Sequence, residues 1–329
     1  MTPIAPHITA FLRERLPIER RASEHTCNSY AYAFQLLFDF ASRRLKAPPS
    51  ALHLEHIDAA LVLAFLQHLE SDRKNSPSSR NARLAAIKSF MRFVEYRVPS
   101  ALDQILRILA IPSKKTDTRL VAHLNVEEMQ ALLNAPDPST RDGIRDRGML
   151  HLGFTTGLRV SELVGLRVDD LTFHSTPNIF VRGKGRRERA LPLCKETARA
   201  MRAWLAVRGE ALVPELFLNA RGKQMTRSGF AYMLRKHTQK TMKQCPPLAK
   251  KQISPHVMRH TCGMITLQAT RDIRKVSLWL GHASVQSTEI YTRSDPTEKL
   301  EAIEAVTPPI LRRGRFRPPD KLIASLKRR

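Results

Sequence analysis

Cysteine is scarce in this sequence, and long apolar runs are missing. The 329 residues include only four cysteines, Cys27, Cys194, Cys245 and Cys262, and none belongs to a CxxC pair. Such scattered cysteines exclude a disulfide framework and a zinc site of the usual spacing, and they are typical of a reducing cytoplasm. No apolar run approaches the roughly 20 residues that a membrane helix needs. The N-terminus also lacks a basic stretch followed by an apolar one, so we expect neither a membrane span nor secretion.

Acidic residues are few beside basic ones. The chain has 30 Asp and Glu against 55 Lys and Arg, a formal net charge of +25. A charge of this size implies a polyanionic partner, and nucleic acid is expected before an anionic membrane surface. The remaining composition, with 42% hydrophobic residues, is that of a globular protein, and the length suggests two domains.

The positive charge is unevenly distributed. Residues 1–110 carry a net +5, residues 111–308 a net +13 and residues 309–329 a net +7. Within the middle block, residues 221–251 contain nine Lys and Arg and no Asp or Glu. A solvated helix face normally carries both signs, so we predict that this segment contacts phosphates, with a solvated basic face as the alternative.

The first 110 residues are organised by apolar residues at helical spacing. The pattern predicts three helices between about residues 24 and 94, and therefore a small all-α domain. Arg80, Arg83 and Lys88 lie around one side of the third helix. These three side chains are candidate contacts to a nucleic-acid backbone, although an exposed basic face explains them equally well.

The second part of the chain predicts helices and a single β-hairpin. Asn125, followed three residues later by Glu128, predicts a capped helix start. Gly183-Lys184-Gly185 separates two β-type segments and predicts a hairpin with Lys184 at its tip. We therefore expect a mainly α fold with a small antiparallel β-sheet. Its predicted parts are an all-α domain at 1–110, a linker at 111–122, an α+β domain at 123–308 and a basic tail at 309–329.

One helix start places a histidine beside an arginine. Ser254 and Pro255 predict a helix N-terminus, with His256 in the first turn and Arg259 one turn later on the same face. The positive end of the helix dipole disfavours a cationic histidine and favours a phosphate. A solvated helix cap is one alternative. A zinc site with His260 is another, but it lacks the glutamate of HExxH and a third ligand.

Two further segments present a cation from a turn. Arg159 lies between two predicted helices, with Glu162 near enough to orient its guanidinium, and a plain surface ion pair is the alternative. Lys184 could reach into a groove and donate a proton, or simply be solvated. No GxxxxGK[ST] pattern surrounds it, so nucleotide binding is disfavoured.

The last segment with candidate reactive side chains contains His282 and Tyr291. Asp272 predicts the N-cap of an apolar helix that Gly281 ends, and His282 follows this break. Most helical tyrosines pack in a core or lie on a surface. Tyr291, however, is one of five tyrosines and the only one downstream of the His256 segment.

Together these segments supply two arginines, a lysine, two histidines and a tyrosine, without a carboxylate cluster for Mg²⁺. Phosphoryl transfer needs neutralisation of the non-bridging oxygens and a protonated leaving group. Arginine forks suit those oxygens, and a tyrosine hydroxyl can form a covalent phosphotyrosine that conserves the bond for religation. The set therefore indicates strand breakage and rejoining without metal, ATP or another cofactor.

The sequence closely resembles the tyrosine recombinase (phage integrase) family, in particular Xer-like site-specific recombinases. Five segments match in the family's order: TTGLRVSEL, GKGRRERALPL, HVMRHT, LGHAS and TEIYT. They cover about residues 145–293, and residues 1–110 resemble the SAM-like core-binding domain more loosely. The resemblance implies that this DNA-binding domain precedes an α+β catalytic domain.

The resemblance also implies roles for the matching residues. Tyr291 would attack the scissile phosphate and form a 3′-phosphotyrosyl link. Arg159, supported by Glu162, and Arg259 would hold the non-bridging oxygens.

Three further residues would handle protons and hydrogen bonds. Lys184 would protonate the leaving 5′ oxygen, His256 would accept or position the tyrosine proton, and His282 would donate a hydrogen bond to the phosphate. The candidate DNA contacts outside this set are Arg80, Arg83, Lys88, Arg227, Arg235 and Lys236.

The implied partners are double-stranded DNA with a specific recombination site and further copies of the chain, and the resemblance also allows a partner recombinase. The family implies a tetramer on two sites, joined by exchange of C-terminal helices, for which residues 295–306 are the candidate. The extra charge and the tail at 309–329 slightly favour a mobile element, hence integration or transposition, over a chromosome dimer resolvase. We expect a cytoplasmic protein on the nucleoid.

Two alternatives stay open from the sequence. A DNA-binding accessory protein would bind a specific site without cleavage, and a type IB topoisomerase would share the chemistry without choosing a site. One departure from the family pattern is Cys262-Gly263, where an aromatic residue and a small residue are more usual.

Overall fold

A computed structural model describes residues 1–117, 122–174, 176–183, 188–209, 213–282 and 285–294. The chain divides into two compact units, Met1–Thr118 and Arg119–Arg329. The described residues are mostly helical, with one small antiparallel sheet in the second unit, so the predicted fold class is confirmed. Among these residues, no helix is both long enough and apolar enough to cross a membrane.

The first unit is entirely helical where the structure describes it. Its α-helices are α1 (Ile4–Ala10), α2 (Glu24–Leu45), α3 (Ala59–Ser71), α4 (Pro77–Val94) and α5 (Leu102–Leu109), and wider π-type turns continue α1 over Phe11–Glu19. Ser23, Asp58 and Ser76 cap α2, α3 and α4, since each side chain accepts a hydrogen bond from the amide three residues later. These caps explain where the helices begin.

Aromatic rings fill the core of the first unit. Phe11 packs edge-on against Phe34 and Phe90, with ring centroids 6.0 and 5.5 Å apart. All three rings are buried. Burial of such large apolar surfaces is the main stabilising contribution available to a unit of this size.

The second unit contains eight α-helices and three strands among its described residues. The helices are α6 (Val126–Leu133), α7 (Arg141–Thr156), α8 (Val160–Val164), α9 (Lys195–Arg208), α10 (Arg227–Met242), α11 (Pro255–Thr270), α12 (Ile273–Leu280) and α13 (Glu289–Ser294). The strands are β1 (Leu171–Thr172), β2 (Asn178–Arg182) and β3 (Glu188–Pro192).

The predicted helix caps are present. The Asn125 side chain accepts from the Glu128 amide while Glu128 accepts from the Asn125 amide, which confirms the capping box of α6. Ser254 caps α11, with proline at its first position. Asp272 caps α12, and Gly281 ends it at φ +65°. Local sequence therefore determined where the helices that carry the site begin and end.

The sheet has the order β1-β2-β3, with both pairs antiparallel. Ile179 lies opposite Leu191, and Val181 lies opposite Arg189. The apolar members of these pairs are buried in the core, so the register is fixed by burial of one face. The predicted hairpin tip at Lys184 lies outside the described residues.

Candidate active site

The turn between α7 and α8 presents Arg159. Gly157 ends α7 at φ +60°, and a Cβ there would lie 2.9 Å from the Cys262 Sγ, so the turn needs glycine. Arg159 is the last residue before α8, and Glu162 lies in the first turn of that helix. The Arg159 Nη1 lies 2.9 Å from the Glu162 Oε1, and the Arg159 amide donates to Oε2 at 2.9 Å. The expected ion pair is therefore present.

Arg259 on α11 is buried and bound to two helix ends. Its side chain donates to the Gly157 carbonyl at 2.6 Å and to the Leu280 carbonyl at 2.7 Å. Both acceptors lie at helix C-termini, where the helix dipole favours a cation. Burial and the neighbouring Arg159 lower the pKa of Arg259 to about 10, so it remains cationic at neutral pH.

The two arginines converge on the end of α12. The Arg159 Nη2 lies 3.3 Å from the Gly281 carbonyl, one residue beyond the Leu280 carbonyl that binds Arg259. Two guanidinium groups brought to one turn form a site for an oxyanion with several equivalent oxygens.

Tyr291 lies beside this turn and is fully buried. Its ring rests on Gly263 of α11, where a Cβ would approach the Tyr291 Cζ to 2.5 Å. The absence of a side chain at Gly263 therefore allows the ring to pack directly on the helix backbone. Burial raises the pKa of Tyr291 to about 12, although Arg259 acts in the opposite direction, so the hydroxyl is protonated at neutral pH.

Two neutral histidines surround the tyrosine. The His260 Nδ1 lies 3.1 Å from the Tyr291 hydroxyl oxygen. The His282 ring stacks on the Tyr291 ring, with centroids 6.3 Å apart and planes at 6°. Burial lowers the pKa of His260 and that of His282 to about 4, helped by His256 and Arg259 at His260 and by Arg259 and Arg159 at His282. Both rings are therefore neutral at pH 7 and can accept or donate one hydrogen bond at each nitrogen.

The structure places the predicted His256 away from the tyrosine hydroxyl. His256 is exposed in the first turn of α11, and its ring centroid lies 6.5 Å from that of His260. Sequence reasoning considered His260 only as a zinc ligand and missed it as the partner of Tyr291. Its spacing of four residues from His256, on the same helix face, was the available signal. Within the described residues, no group of three metal-binding side chains occurs.

Arg189 on β3 is a second residue that the sequence analysis missed. Its Nη2 lies 2.9 Å from the Glu162 Oε2, and the Arg189 side chain is only 12% exposed. Burial alone would raise the pKa of Glu162. The hydrogen bonds from Arg189 and from the Arg159 amide outweigh burial, so this pKa lies below its ordinary value. Glu162 therefore joins two arginines, not one.

The structure thus brings together Arg159, Glu162, Arg259, His282 and Tyr291 of the predicted set. His256 lies near them on the exposed end of α11. Lys184 lies outside the described residues, between β2 and β3.

The predicted DNA contacts of the first unit have other partners. Arg80 is only 5% exposed and donates to the Pro112 carbonyl at 3.0 Å, so we leave it out of any DNA-contacting set. Arg83 lies over the Tyr32 ring at 5.0 Å. Lys88 is half-buried, and burial, aided by Arg92 and Arg80, lowers its pKa.

Two cations of the basic segment at 221–251 bind other residues of the same unit, and three others lie exposed on one helix. Lys240 donates to the Ala135 carbonyl, and Lys251 lies 2.6 Å from Glu128, so these two cations stabilise the unit itself. Arg227, Arg235 and Lys236 are exposed on α10. We predict phosphate contacts for Arg227, Arg235 and Lys236.

A buried hydrogen-bonded network holds the opposite side of α10. The His237 Nε2 lies 2.8 Å from the Asp146 Oδ2, and Asp146 also binds the Arg145 guanidinium at 2.7 Å. All three side chains are at least nine-tenths buried. This network fixes α10 on α7 and leaves the basic face of α10 toward solvent.

Comparison with known proteins identifies related sequences and folds. The model of the phage integrase family matches residues 122–298, and that of the phage integrase N-terminal SAM-like domain matches residues 8–97. The integrase/recombinase y4rC of Sinorhizobium fredii is 44% identical, covering 98% of this chain and 97% of that protein. The tyrosine recombinase XerC of Pelobacter propionicus is 33% identical, covering 94% and 97%.

A solved structure shows a similar fold. It is that of the XerH site-specific recombinase bound to palindromic difH substrate, with a TM-score of 0.67 at 23% identity. The match covers 87% of this chain and 81% of that chain.

Proposed function

Because the chain belongs to the phage integrase family of tyrosine recombinases, we propose that it breaks and rejoins DNA at specific sites through Tyr291. The observation that carries this proposal is the convergence of Arg159 and Arg259 on one turn beside Tyr291.

In the proposed reaction the Tyr291 hydroxyl gives its proton to His256 while its oxygen attacks the scissile phosphorus. A 3′-phosphotyrosyl bond forms, the bond to the 5′ oxygen breaks, and Lys184 gives that oxygen a proton. Arg159 and Arg259 stabilise the charge that develops on the non-bridging oxygens, and His282 adds a hydrogen bond. Reversal with another 5′ hydroxyl rejoins the strands without an external energy source.

The buried tyrosine represents a resting arrangement in this proposal. A fully buried hydroxyl on His260 cannot reach a DNA phosphate, so Tyr291 has to leave Gly263 before it attacks. Movement of α13, a helix of six residues, would release it.

Covalent trapping tests the proposed function. DNA flanking the gene, chosen for its inverted or direct repeats, is nicked beside the expected cleavage position so that the cut strand is lost. A recombinase then accumulates as a covalent protein–DNA adduct. A specific gel shift without an adduct would indicate an accessory binding protein. Relaxation of supercoiled plasmids without site preference would indicate a topoisomerase.

Substitutions of the two histidines of α11 are expected to slow DNA cleavage by different amounts. His256 is exposed beside Arg259 at the start of the helix, where an incoming phosphate would lie, whereas His260 holds the resting hydroxyl. We expect His256→Gln to slow single-turnover cleavage by about 100-fold and His260→Gln by less than about tenfold. The measurement is the rate of adduct formation on nicked DNA. If His260→Gln slowed cleavage more than His256→Gln, the result would show that His260 accepts the proton.

The exposed face of α10 is the proposed DNA interface of the second unit. Arg227, Arg235 and Lys236 supply positive charge there, and the His237–Asp146 pair fixes the helix from behind. The major groove of B-DNA is wide enough to admit an α-helix such as α10.

Neutralising this face should change the salt dependence of DNA binding. We expect Arg235→Gln and Lys236→Gln each to reduce the slope of log K against log [salt] by about 0.9, because each removes one phosphate contact. Arg199→Gln is the matched control, since it removes an exposed positive charge from α9. Unchanged slopes for both α10 variants would show that α10 does not contact the DNA.

Assembly on two DNA sites is proposed to use residues 295–306. Their sequence is apolar and acidic, with the acidic residues Asp295, Glu298, Glu301 and Glu304. The second unit offers an apolar groove of about 700 Å³, lined by Leu191, Ile265 and Trp279 and bordered by the exposed cation Lys275. Complementary charge supports docking of this segment on a neighbouring copy. We also propose that the protein acts for a mobile element and associates with the nucleoid.

A further inference from the structure

Arg189 links the β-hairpin to the arginine site. It lies on β3 opposite Val181, and its guanidinium reaches Glu162 on α8. A Cβ on Gly281 would lie 2.8 Å from the Arg189 Nη1, so the side chain packs directly on the peptide whose carbonyl accepts from Arg159. Arg189 therefore touches both groups that hold Arg159 in place.

The three side chains differ in their access to a substrate. Arg159 is 31% exposed, whereas Glu162 is 5% and Arg189 12% exposed. A phosphate arriving from solvent can meet Arg159, while Arg189 lies behind the carboxylate. Arg189 is thus placed to act on the substrate through Glu162 and Arg159, not by direct contact.

Charge counting indicates what Arg189 contributes. Arg159 and Glu162 alone form a neutral pair, which would attract an anionic phosphate weakly. Adding Arg189 gives the trio a net charge of +1, and Arg259 brings the site to +2. In a half-buried site one elementary charge a few ångströms from a phosphate has a large effect on its stabilisation.

We propose that Arg189 is a positioning residue that neutralises Glu162, so that Arg159 keeps its positive charge and its orientation for the scissile phosphate. This inference rests on the proposed recombinase function. Glu162 orients Arg159, and Arg189 cancels the negative charge of the Glu162 carboxylate.

A double-mutant cycle on cleavage of nicked DNA tests the inference. We expect Arg189→Gln to slow adduct formation by on the order of 100-fold, the range found when one charge-stabilising donor is lost. In the Glu162→Gln background, the same Arg189→Gln change should alter the rate by less than about threefold, because no carboxylate is left to neutralise. Arg199→Gln on α9 controls for lost surface charge.

Two outcomes of the cycle would overturn the inference. One is equal slowing by Arg189→Gln in both backgrounds, which indicates a packing role alone. The other is a rate for Arg189→Gln within threefold of the unsubstituted protein. Absence of any adduct from the unsubstituted protein would instead contradict the proposed function, and the two failures are therefore distinguishable.

Urea unfolding gives a readout that needs no cleavage and can include Arg189→Lys if Arg189→Gln folds poorly. In the unsubstituted protein the pKa of Glu162 lies below its ordinary value, so this residue adds stability as pH rises through its range. Without Arg189 the buried carboxylate loses that support. The stability lost in Arg189→Gln should therefore grow between pH 4 and pH 7, more than in Arg189→Lys. A loss that does not vary with pH would overturn the inference.

Discussion

Replacing Tyr291 with phenylalanine is expected to abolish covalent attachment of DNA, a loss of at least roughly 1,000-fold in adduct formation. The substitution removes the only atom that can form the phosphotyrosyl bond and leaves the ring that packs on Gly263 and His282. One hydrogen bond to His260 is lost with it, so stability should change by only about 1 kcal/mol. Trapping on nicked DNA measures the adduct, and a gel shift measures DNA binding, which should be retained.

The control for this prediction is Tyr96→Phe. Tyr96 is 61% exposed in the first unit, and its ring contacts survive the loss of the hydroxyl. The same chemical change should therefore leave adduct formation intact. An adduct from Tyr291→Phe, on a protein whose thermal unfolding is normal, would show that another residue is the nucleophile.

Arg259→Gln is expected to reduce the cleavage rate by about 1,000-fold or more and to destabilise the second unit. The rate falls because a guanidinium that stabilises transferring phosphoryl groups typically contributes this much. Stability falls because Arg259 is buried and binds the carbonyls of Gly157 and Leu280. Losing these two charged hydrogen bonds should lower the free energy of unfolding by on the order of 3 kcal/mol.

Arg259→Lys separates the two contributions. Lysine keeps the charge but cannot bridge two carbonyls with a rigid fork. We expect it to recover part of the stability and little of the rate, measured by urea unfolding and by single-turnover cleavage below the unfolding temperature. Cleavage within tenfold of the unsubstituted protein for either variant would contradict a role for Arg259 in the reaction.

Local sequence was sufficient for the helices that carry the site. Asn125, Ser254 and Asp272 are short polar residues whose side chains satisfy the free amides of a helix start, and this chemistry acts within four residues. Gly281 adopts a positive φ that other residues resist, so it marks a helix end. Such signals are readable because cause and effect lie side by side in the chain.

These local signals do not show which residues meet when they lie far apart in the sequence. Nothing in the sequence near Arg189 indicates that it faces Glu162, which lies 27 residues earlier. Nor does local pattern distinguish Arg80, which folds back onto Pro112, from an exposed arginine on the same helix. Local pattern also did not show that His260 meets the buried Tyr291 hydroxyl, because this contact depends on the packing of α13 on α11.

By itself, the sequence determined the fold class, the family and the segments that bear the reactive side chains. The family follows from five motifs in order, and each motif is a local pattern of residue types. Tertiary structure alone decided which groups meet: the two arginines at the end of α12, the tyrosine on Gly263, and Arg189 behind Glu162. The physical reason is that helix caps and turns depend on neighbours along the chain, whereas charge balance and burial depend on neighbours in space.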